Sequence, residues 1–584
     1  MNPGLVSRAR KSPPPFGEVP LREWLFPLGV AALLMAIVWI PYSLGYSLQD
    51  GTHRFMGLVG TDAIDDNNVY LGLMRQSAEG RVLFTNNFTP EPNPPALFNF
   101  LYLSLGRISR WTGMSLDQTH RAFGALSILL LTLTIYGFIA TAIRRPFYRR
   151  FALVLACFGG GFLWLSRIIL RMTGVDLKPI TAWLVEVNLF HAMLVYPHFV
   201  FAAALMTGSL VMYLKSERVR RYMPAAAAGC VATILAASHA FEAVAFIPIA
   251  GAYLVLDALG LGRMPGASRW KCCALVIGMP VGMLLVNRWM LILEPAWGDV
   301  VTRLSFQTPE PFRLILGLGA SFAISVLTFE GFLRVDRPSG ERMAKAWVLM
   351  VLVLAYVPYI NWRWHLLNGI QIPLSILATQ GLRRTVFLRI QRRRRALGKR
   401  RIVPRGIWAP APQMAVMALV GIICCLSVAN LFLHYKYQVQ DMSSPTYLTR
   451  GELSAMDWMS RNVSLDSVVL GSYKTGNYVP RLSGQRVFLG EDMLTQAFEI
   501  RARDVGEFYS THWNDTQREA LLRHYQVGYV VYGPPERELG SYDPSASSFL
   551  HRIYEADGVE IFAVKQEGEG GMRTATLPEK EPLP

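Results

Sequence analysis

Three carboxylates stand within five residues in the segment T-D-A-I-D-D-N-N-V-Y, Thr61 to Tyr70: Asp62, Asp65 and Asp66, with Asn67 and Asn68 beside them. So close together they repel one another, which raises at least one pKa unless a cation or an acceptor's proton relieves it. Paired carboxylates therefore suit metal binding or general-base work. The plainer reading is structural. If a helix starts near Asp65, with Val69, Leu71 and Met74 as its apolar stripe, the two acids cap its N-terminal end, where free backbone N–H groups and the dipole favour them. Composition leaves both readings open.

More chemistry follows along the chain. The stretch W-L-V-E-V-N-L-F-H-A-M-L-V-Y-P-H-F, Trp183 to Phe199, carries Glu186, His191 and His198, and S-H-A-F-E carries His239 and Glu242 at a spacing that one helical turn brings together. Interhelical hydrogen bonding or interfacial anchoring is the plain alternative for the histidines. Arg363, in N-W-R-W-H (Asn361 to His365), is the sharpest cation. A guanidinium there can bind phosphate through two parallel hydrogen bonds without losing its charge. Trp362 and Trp364 beside it suit either membrane anchoring or a ligand platform.

The elements that must position these groups are membrane spans. The 584 residues are 52% hydrophobic and 17% charged, which excludes a disordered chain, and apolar runs of the length a bilayer requires recur as far as about Leu433. About eleven are expected: Trp24 to Leu48, Phe123 to Ile143, Phe151 to Leu170, Ala192 to Leu214, Met223 to Ser238, Phe241 to Leu259, Cys272 to Leu293, Phe312 to Phe332, Ala346 to Ile360, Leu366 to Leu382 and Pro412 to His434. The net charge of +17 gathers in every second loop, at Arg8–Lys11, Arg144–Arg150, Lys215–Arg221, Arg263–Lys271, Arg334–Lys345 and Arg383–Arg405. Basic loops stay cytoplasmic, so the amino terminus lies inside, and the loop 49–120 and the carboxy-terminal region lie outside. The run Arg392–Arg395 has no aromatic interleaving and fits anionic lipid, not nucleic acid. The six cysteines fall in or beside expected spans, leaving none for an exported disulfide or metal site.

The expected division is a cytoplasmic segment 1–23, a membrane domain 24–440, an exported α/β domain 441–566 and a flexible tail 567–584. In the exported domain, Gly451–Arg461 and Gln517–Tyr525 read as helices, and Ser467–Leu470, Arg486–Leu489, Val527–Tyr532 and Val559–Val564 as strands. Within the first loop, N-N-F-T-P-E-P-N-P-P (Asn86 to Pro95) is a proline-punctuated crossing, and Ala96 to Trp111 suits a second interfacial helix.

A first span, a long outer loop with D-D-x-x-x-Y, a Pro-Pro before an aromatic-rich helix, further spans and a terminal outer domain together resemble the GT-C superfamily of glycosyltransferases. The resemblance implies a polytopic α-helical membrane enzyme with a small extracytoplasmic α/β domain. It would move a sugar from a polyprenyl-phosphate or polyprenyl-diphosphate carrier to an acceptor in the cell envelope, and invert the anomeric centre. It implies Asp65 or Asp66 as base or metal ligand, with Asp66 and Tyr70 the best match to the motif and Asp62 the runner-up. Oligosaccharyltransferase-like members carry a second acidic motif, and this chain has the lone Glu186 there and not a pair, which counts against a bound metal; a divalent cation, magnesium or manganese, is a candidate cofactor without an assigned site. His191, His198, His239 and Glu242 would line the cavity and Arg363 would hold the carrier phosphate. G-S-Y-K-T-G-N-Y (Gly471 to Tyr478) is similar in place to the acceptor-recognition region of those enzymes, making Tyr473 and Lys474 candidate acceptor contacts. The motif W-W-D-Y-G is absent, and a plain turn is the alternative. The excess of Arg over Lys suits a GC-rich bacterial source and hence the inner, or only, cell membrane. A transporter or a non-catalytic envelope-assembly protein is the rival reading, although the ionisable groups gather at the outer mouths of the spans and not through their interiors.

Overall fold

The computed structural model describes residues 19–261, 266–294, 297, 310–329, 337–387, 411–443 and 445–565. The expected clusters Arg8–Lys11 and Arg392–Arg395 and the tail 567–584 lie outside the described residues, as do parts of the loops around Arg263 and Arg334. The chain divides into two compact units, residues 1–85 with 94–447, and residues 86–93 with 448–584.

The first unit is helical. It runs α1 (Leu21–Leu48), α2 (Ile64–Ala78), α3 (Phe100–Thr112), α4 (Leu116–Ala142), α5 (Pro146–Phe158), α6 (Leu163–Thr173), α7 (Leu189–Val195) and α8 (Pro197–Val219). There follow α9 (Met223–Ser238), α10 (Ala240–Leu261), α11 (Ala267–Leu293), α12 (Pro311–Ser325), α13 (Ser339–Leu354), α14 (Gln371–Gly381) and α15 (Ala411–Gln440). Among the described residues seven helices are long and apolar enough to cross a membrane, and α5 with α6, bent by 51° at their break, would make an eighth. The other three expected spans correspond to α9, α13 and α14, of 16, 16 and 11 residues. At about 1.5 Å per residue these fall short of a hydrocarbon core of roughly 30 Å. Periodicity finds such segments, but their ends are set by Pro and Gly that a hydropathy window passes over.

The break between α5 and α6 is G-G-G-F, residues 159–162, and it shows how non-helical backbone survives among apolar helices. Gly160 N donates to Cys424 O at 2.8 Å, Phe162 N donates to Leu316 O at 2.7 Å, and Gly161 O accepts from Ser427 Oγ at 2.5 Å. These freed polar groups are thus paired by neighbouring helices, as a water-poor environment demands. The approach is so close that a Cβ on Gly161 would strike the carbonyl of Gly317. Gly319, in the left-handed region at φ 62°, lies against it. Gly161→Ala is therefore expected to cost about 1–3 kcal/mol through backbone displacement. A detergent melting curve indistinguishable from wild type would contradict this packing.

The second unit is a five-stranded mixed sheet with helices. Its strands are β1 (Val468–Leu470), β2 (Arg486–Val487), β3 (Val527–Tyr532), β4 (Leu550–Ala556) and β5 (Val559–Val564), in the order β2-β1-β3-β5-β4. β1 runs parallel to β2 and β3, and β5 antiparallel to β3 and β4. Val468, Val469 and Leu470 are all buried, which is why S-V-V-L shows no alternation. The helix Arg450–Asn462 starts at a capping box: Thr449 Oγ1 accepts from Glu452 N and Glu452 Oε2 from Thr449 N. Asn86–Asn93, a piece of the first loop in sequence, belongs to this unit by contact. Asn87 O accepts from Val487 N at 2.9 Å, Arg486 Nη1 donates to Pro90 O at 2.6 Å, and Arg501 pairs with Glu91. Polar side chains far along the chain make this attachment, and local sequence carries no sign of it.

Candidate active site

α2 brings the first-loop acids into position. Its N-cap is Ala63, without a side-chain cap, so neither Asp65 nor Asp66 serves as the capping residue; both lie in the first turn, half-buried. Val69, Leu71 and Met74 are buried, which fixes the helix's rotation. Asp66 then meets Tyr196, whose hydroxyl donates to Asp66 Oδ2 at 2.5 Å. Tyr196 sits between α7 and α8, immediately before Pro197, and Asn188 caps α7 by accepting from Phe190 N and His191 N.

From Asp66 a continuous set of rings and carboxylates leads to the Arg363 turn. Tyr70, one helical turn past Asp66, stacks on Tyr102 of α3 with centroids 4.9 Å apart and meets His198 at 4.5 Å. His198 lies 5.2 Å from His239, which pairs with Glu242 at the start of α10. Asn368 Nδ2 donates to Glu242 Oε1 at 2.6 Å, and Phe241 stacks on His365 at 4.5 Å and meets Trp362 at 4.9 Å. His365 Nδ1 pairs with Glu186 Oε1 at 2.5 Å. Arg363, 8% exposed, stands in the same short helical turn, Arg363–Leu367, and Nη1 donates to Ile360 O at 3.2 Å.

The sequence candidates thus divide. Asp66, Glu186, His198, His239, Glu242 and the Arg363 turn are linked through direct contacts. Asp65 shares the helix turn of Asp66. His191 instead hydrogen-bonds Tyr435 of α15. Tyr473 and Lys474 lie in the second unit, on a helix, Tyr473–Leu482, capped by Ser472, and not in a plain turn. There Tyr473 packs edge-on to Phe498 and Lys474 pairs with Glu452 at 3.1 Å. Sequence reasoning missed Tyr196, Tyr102, His365 and Asn368. The Tyr-Pro-His sequence and the His two residues after Arg363 were the available signals for two of them; Tyr102 and Asn368 had none.

Glu186 and Glu242 are each engaged with a histidine and Asp66 with a tyrosine. No group of three His, Cys, Asp or Glu side chains that could hold a metal occurs among the described residues. The described side chains therefore do not fit a divalent cation.

No family model and no curated protein matches the chain. Among solved structures, the archaeal oligosaccharyltransferase AglB from Archaeoglobus fulgidus, in complex with an inhibitory peptide and a dolichol-phosphate, matches at TM-score 0.53 and 12% identity over 88% of this chain and 70% of that one. The apo form of the Archaeoglobus fulgidus oligosaccharyltransferase matches at 0.52 and 13%, over 93% and 75%. This chain has the GT-C glycosyltransferase fold. ArnT from Cupriavidus metallidurans bound to undecaprenyl phosphate also matches, at TM-score 0.49 and 10% identity, over 95% of this chain and 100% of that one.

On the GT-C fold of this chain, the charges of the site are set by burial and pairing. Burial opposes ionisation of Glu186, but the His365 imidazolium and its hydrogen bond outweigh it and hold the carboxyl below its ordinary range. Burial likewise opposes charge on His365, and Glu186, then Glu242 and Asp66, overcome it and raise the imidazole. For Tyr196, burial and then the Asp66 carboxylate push the phenol far up, so it remains a donor. The raised His365 contributes stability that is present below about 6.5 and lost as pH rises through its raised value. The lowered Glu186 contributes stability present above about 4.3 and lost as pH falls through its depressed value. Melting temperature is expected to fall on both sides of that window, and Glu186→Gln to flatten both falls. Tryptophan fluorescence melts across the range check this; an unchanged pH profile in the variant would mean the pair does not exist.

Proposed function

We propose that the chain is an integral-membrane glycosyltransferase that takes a sugar from a polyprenyl-phosphate or polyprenyl-diphosphate carrier and passes it to an acceptor hydroxyl outside the cytoplasm. The observation that carries this reading is the contact-linked set running from Asp66 through Tyr196, His198, His239 and Glu242 to the turn holding Arg363 and His365, on a GT-C fold. The solved oligosaccharyltransferase that holds a dolichol-phosphate supports the carrier class.

In this reading Asp66 accepts the proton of the acceptor hydroxyl. The oxygen attacks the anomeric carbon from the face opposite the phosphate, so configuration inverts, and the bond from that carbon to the phosphate oxygen breaks with its electron pair leaving on the phosphate. Arg363 binds the phosphate and stabilises the charge that grows on it, and protonated His365 adds a second positive charge nearby. Tyr196 orients the base, and Tyr102, buried behind Tyr70, holds that half-buried ring in place beside it. The site opens at the extracytoplasmic end of the helices, with the amino terminus inside and the membrane a bacterial cell membrane.

The test is transfer itself. Purified protein in lipid discs is given radiolabelled polyprenyl-monophosphate and polyprenyl-diphosphate sugars with fractionated cell-envelope acceptors, alongside Asp65→Asn, Asp66→Asn and Arg363→Ala. Label is expected to move from the lipid phase to an acceptor in wild type. Undiminished transfer by all three variants would remove the site from this assignment.

A further inference from the structure

Beside the active-site segments, a separate cavity, open to its surroundings, lies between α1, α4 and the α7–α8 junction. Met35, Val38, Ile128 and Met193 give it apolar walls, and Asn67 and Arg121 supply its polar end. Two features make that end more than a packing defect. The Asn67 Nδ2 group donates to two carbonyls, Ala63 O at 2.7 Å and Val195 O at 3.1 Å, so the amide's orientation is settled. Its Oδ1, on a side chain 2% exposed, has no hydrogen-bond partner among the described residues. A buried acceptor left without a partner is costly and calls for a donor.

Arg121 is the second feature. Its guanidinium donates to Gly57 O and lies over the Tyr42, Tyr46 and Trp39 rings at 4.5, 5.2 and 5.7 Å. No carboxylate lies within ion-pair distance among the described residues, and Nε has no hydrogen-bond partner there. Aromatic faces hold a cation in place but do not neutralise it. An apolar slot that ends in a fixed cation and a hydrogen-bond acceptor complements an amphiphile with an anionic group, a hydroxyl and a hydrocarbon chain.

We propose that this cavity binds one chain of an anionic, hydroxyl-bearing phospholipid, with the phosphate on Arg121 and a head-group hydroxyl donating to Asn67 Oδ1. Asn67 adjoins Asp66, and Val195 and Pro197, which also line the cavity, flank Tyr196. The lipid therefore braces the backbone that carries the Tyr196–Asp66 hydrogen bond. This binding requires no sugar transfer, and its failure leaves the transfer reading untouched.

The probe is phosphatidylglycerol with a photoreactive diazirine in its acyl chain, compared with phosphatidylcholine carrying the same chain, in discs containing the full chain. After illumination, mass spectrometry of peptides bearing Met35–Val38 and Ile128 is expected to show about tenfold more phosphatidylglycerol adduct than phosphatidylcholine adduct. Arg121→Gln is expected to bring the two lipids level. Ala125→Trp, at an exposed position that lines the cavity, is expected to abolish labelling by both while the chain folds. The same labelling of Asp66→Asn is expected to match wild type. Equal labelling by the two lipids in wild type, an unchanged preference in Arg121→Gln, or undiminished labelling in Ala125→Trp would each overturn the proposal.

Discussion

Asp66→Asn is expected to lower kcat for sugar transfer by about 10²–10⁴-fold, the span a positioned general base contributes. The amide keeps the shape of the carboxylate and can still accept from Tyr196, so the fold should survive and the loss report on proton transfer. Asp65→Asn is expected to cost far less, because Tyr196 donates to Asp66 and thereby picks one member of the doublet. Tyr196→Phe separates orientation from chemistry. Its phenol is held protonated by burial and by the Asp66 carboxylate, so it takes no proton in the reaction. Removing it should reduce kcat by an intermediate factor and raise the pH at which activity rises no further, because the donated hydrogen bond favours the charged carboxylate. Initial rates with a labelled lipid donor across pH decide among these. A larger loss for Asp65→Asn than for Asp66→Asn would move the base one residue back.

That the doublet could not be resolved from sequence has a physical origin. Two adjacent residues on a helix point about 100° apart, and which of them faces the chemistry depends on the rotation of α2, set by burial of Val69, Leu71 and Met74 against the rest of the unit. The layout was more legible. Long apolar runs bounded by basic clusters announce α1, α4, α8, α10, α11 and α15 because bilayer thickness imposes length directly on sequence. The pairs His239–Glu242 and Thr449–Glu452 were or could be read for the same reason, being local spacings. What sequence could not supply were partners from distant segments: Glu186 with His365, Glu242 with Asn368, and Arg501 with Glu91. Such pairings are fixed by how helices and loops pack, and no single stretch encodes them.

Arg363→Ala is the other change with a large expected effect. Deleting one partner of a buried charged contact costs about 2–5 kcal/mol, or roughly 30- to 4,000-fold in kcat/KM at about 1.4 kcal/mol per decade. How the loss divides tells what the arginine does. If it grips the carrier phosphate equally before and during bond breaking, KM rises and kcat holds; if it meets the charge that grows on the leaving phosphate, kcat falls as well. Bond breaking leaves more charge on the phosphate than the bound donor carries, so a fall in both is expected. Arg363→Lys should recover only part of the activity, since an ammonium keeps the charge but not the planar fork. A purely structural arginine has to be separated from a phosphate-binding one, because Arg363 is nearly buried and bonds Ile360 O. Added polyprenyl phosphate should raise the melting temperature of the wild-type protein and of Asp66→Asn, whose phosphate grip is intact, but not that of Arg363→Ala. A variant that melts early yet still gains the full shift from the lipid phosphate would assign the guanidinium to the fold alone and leave the carrier's charge to His365.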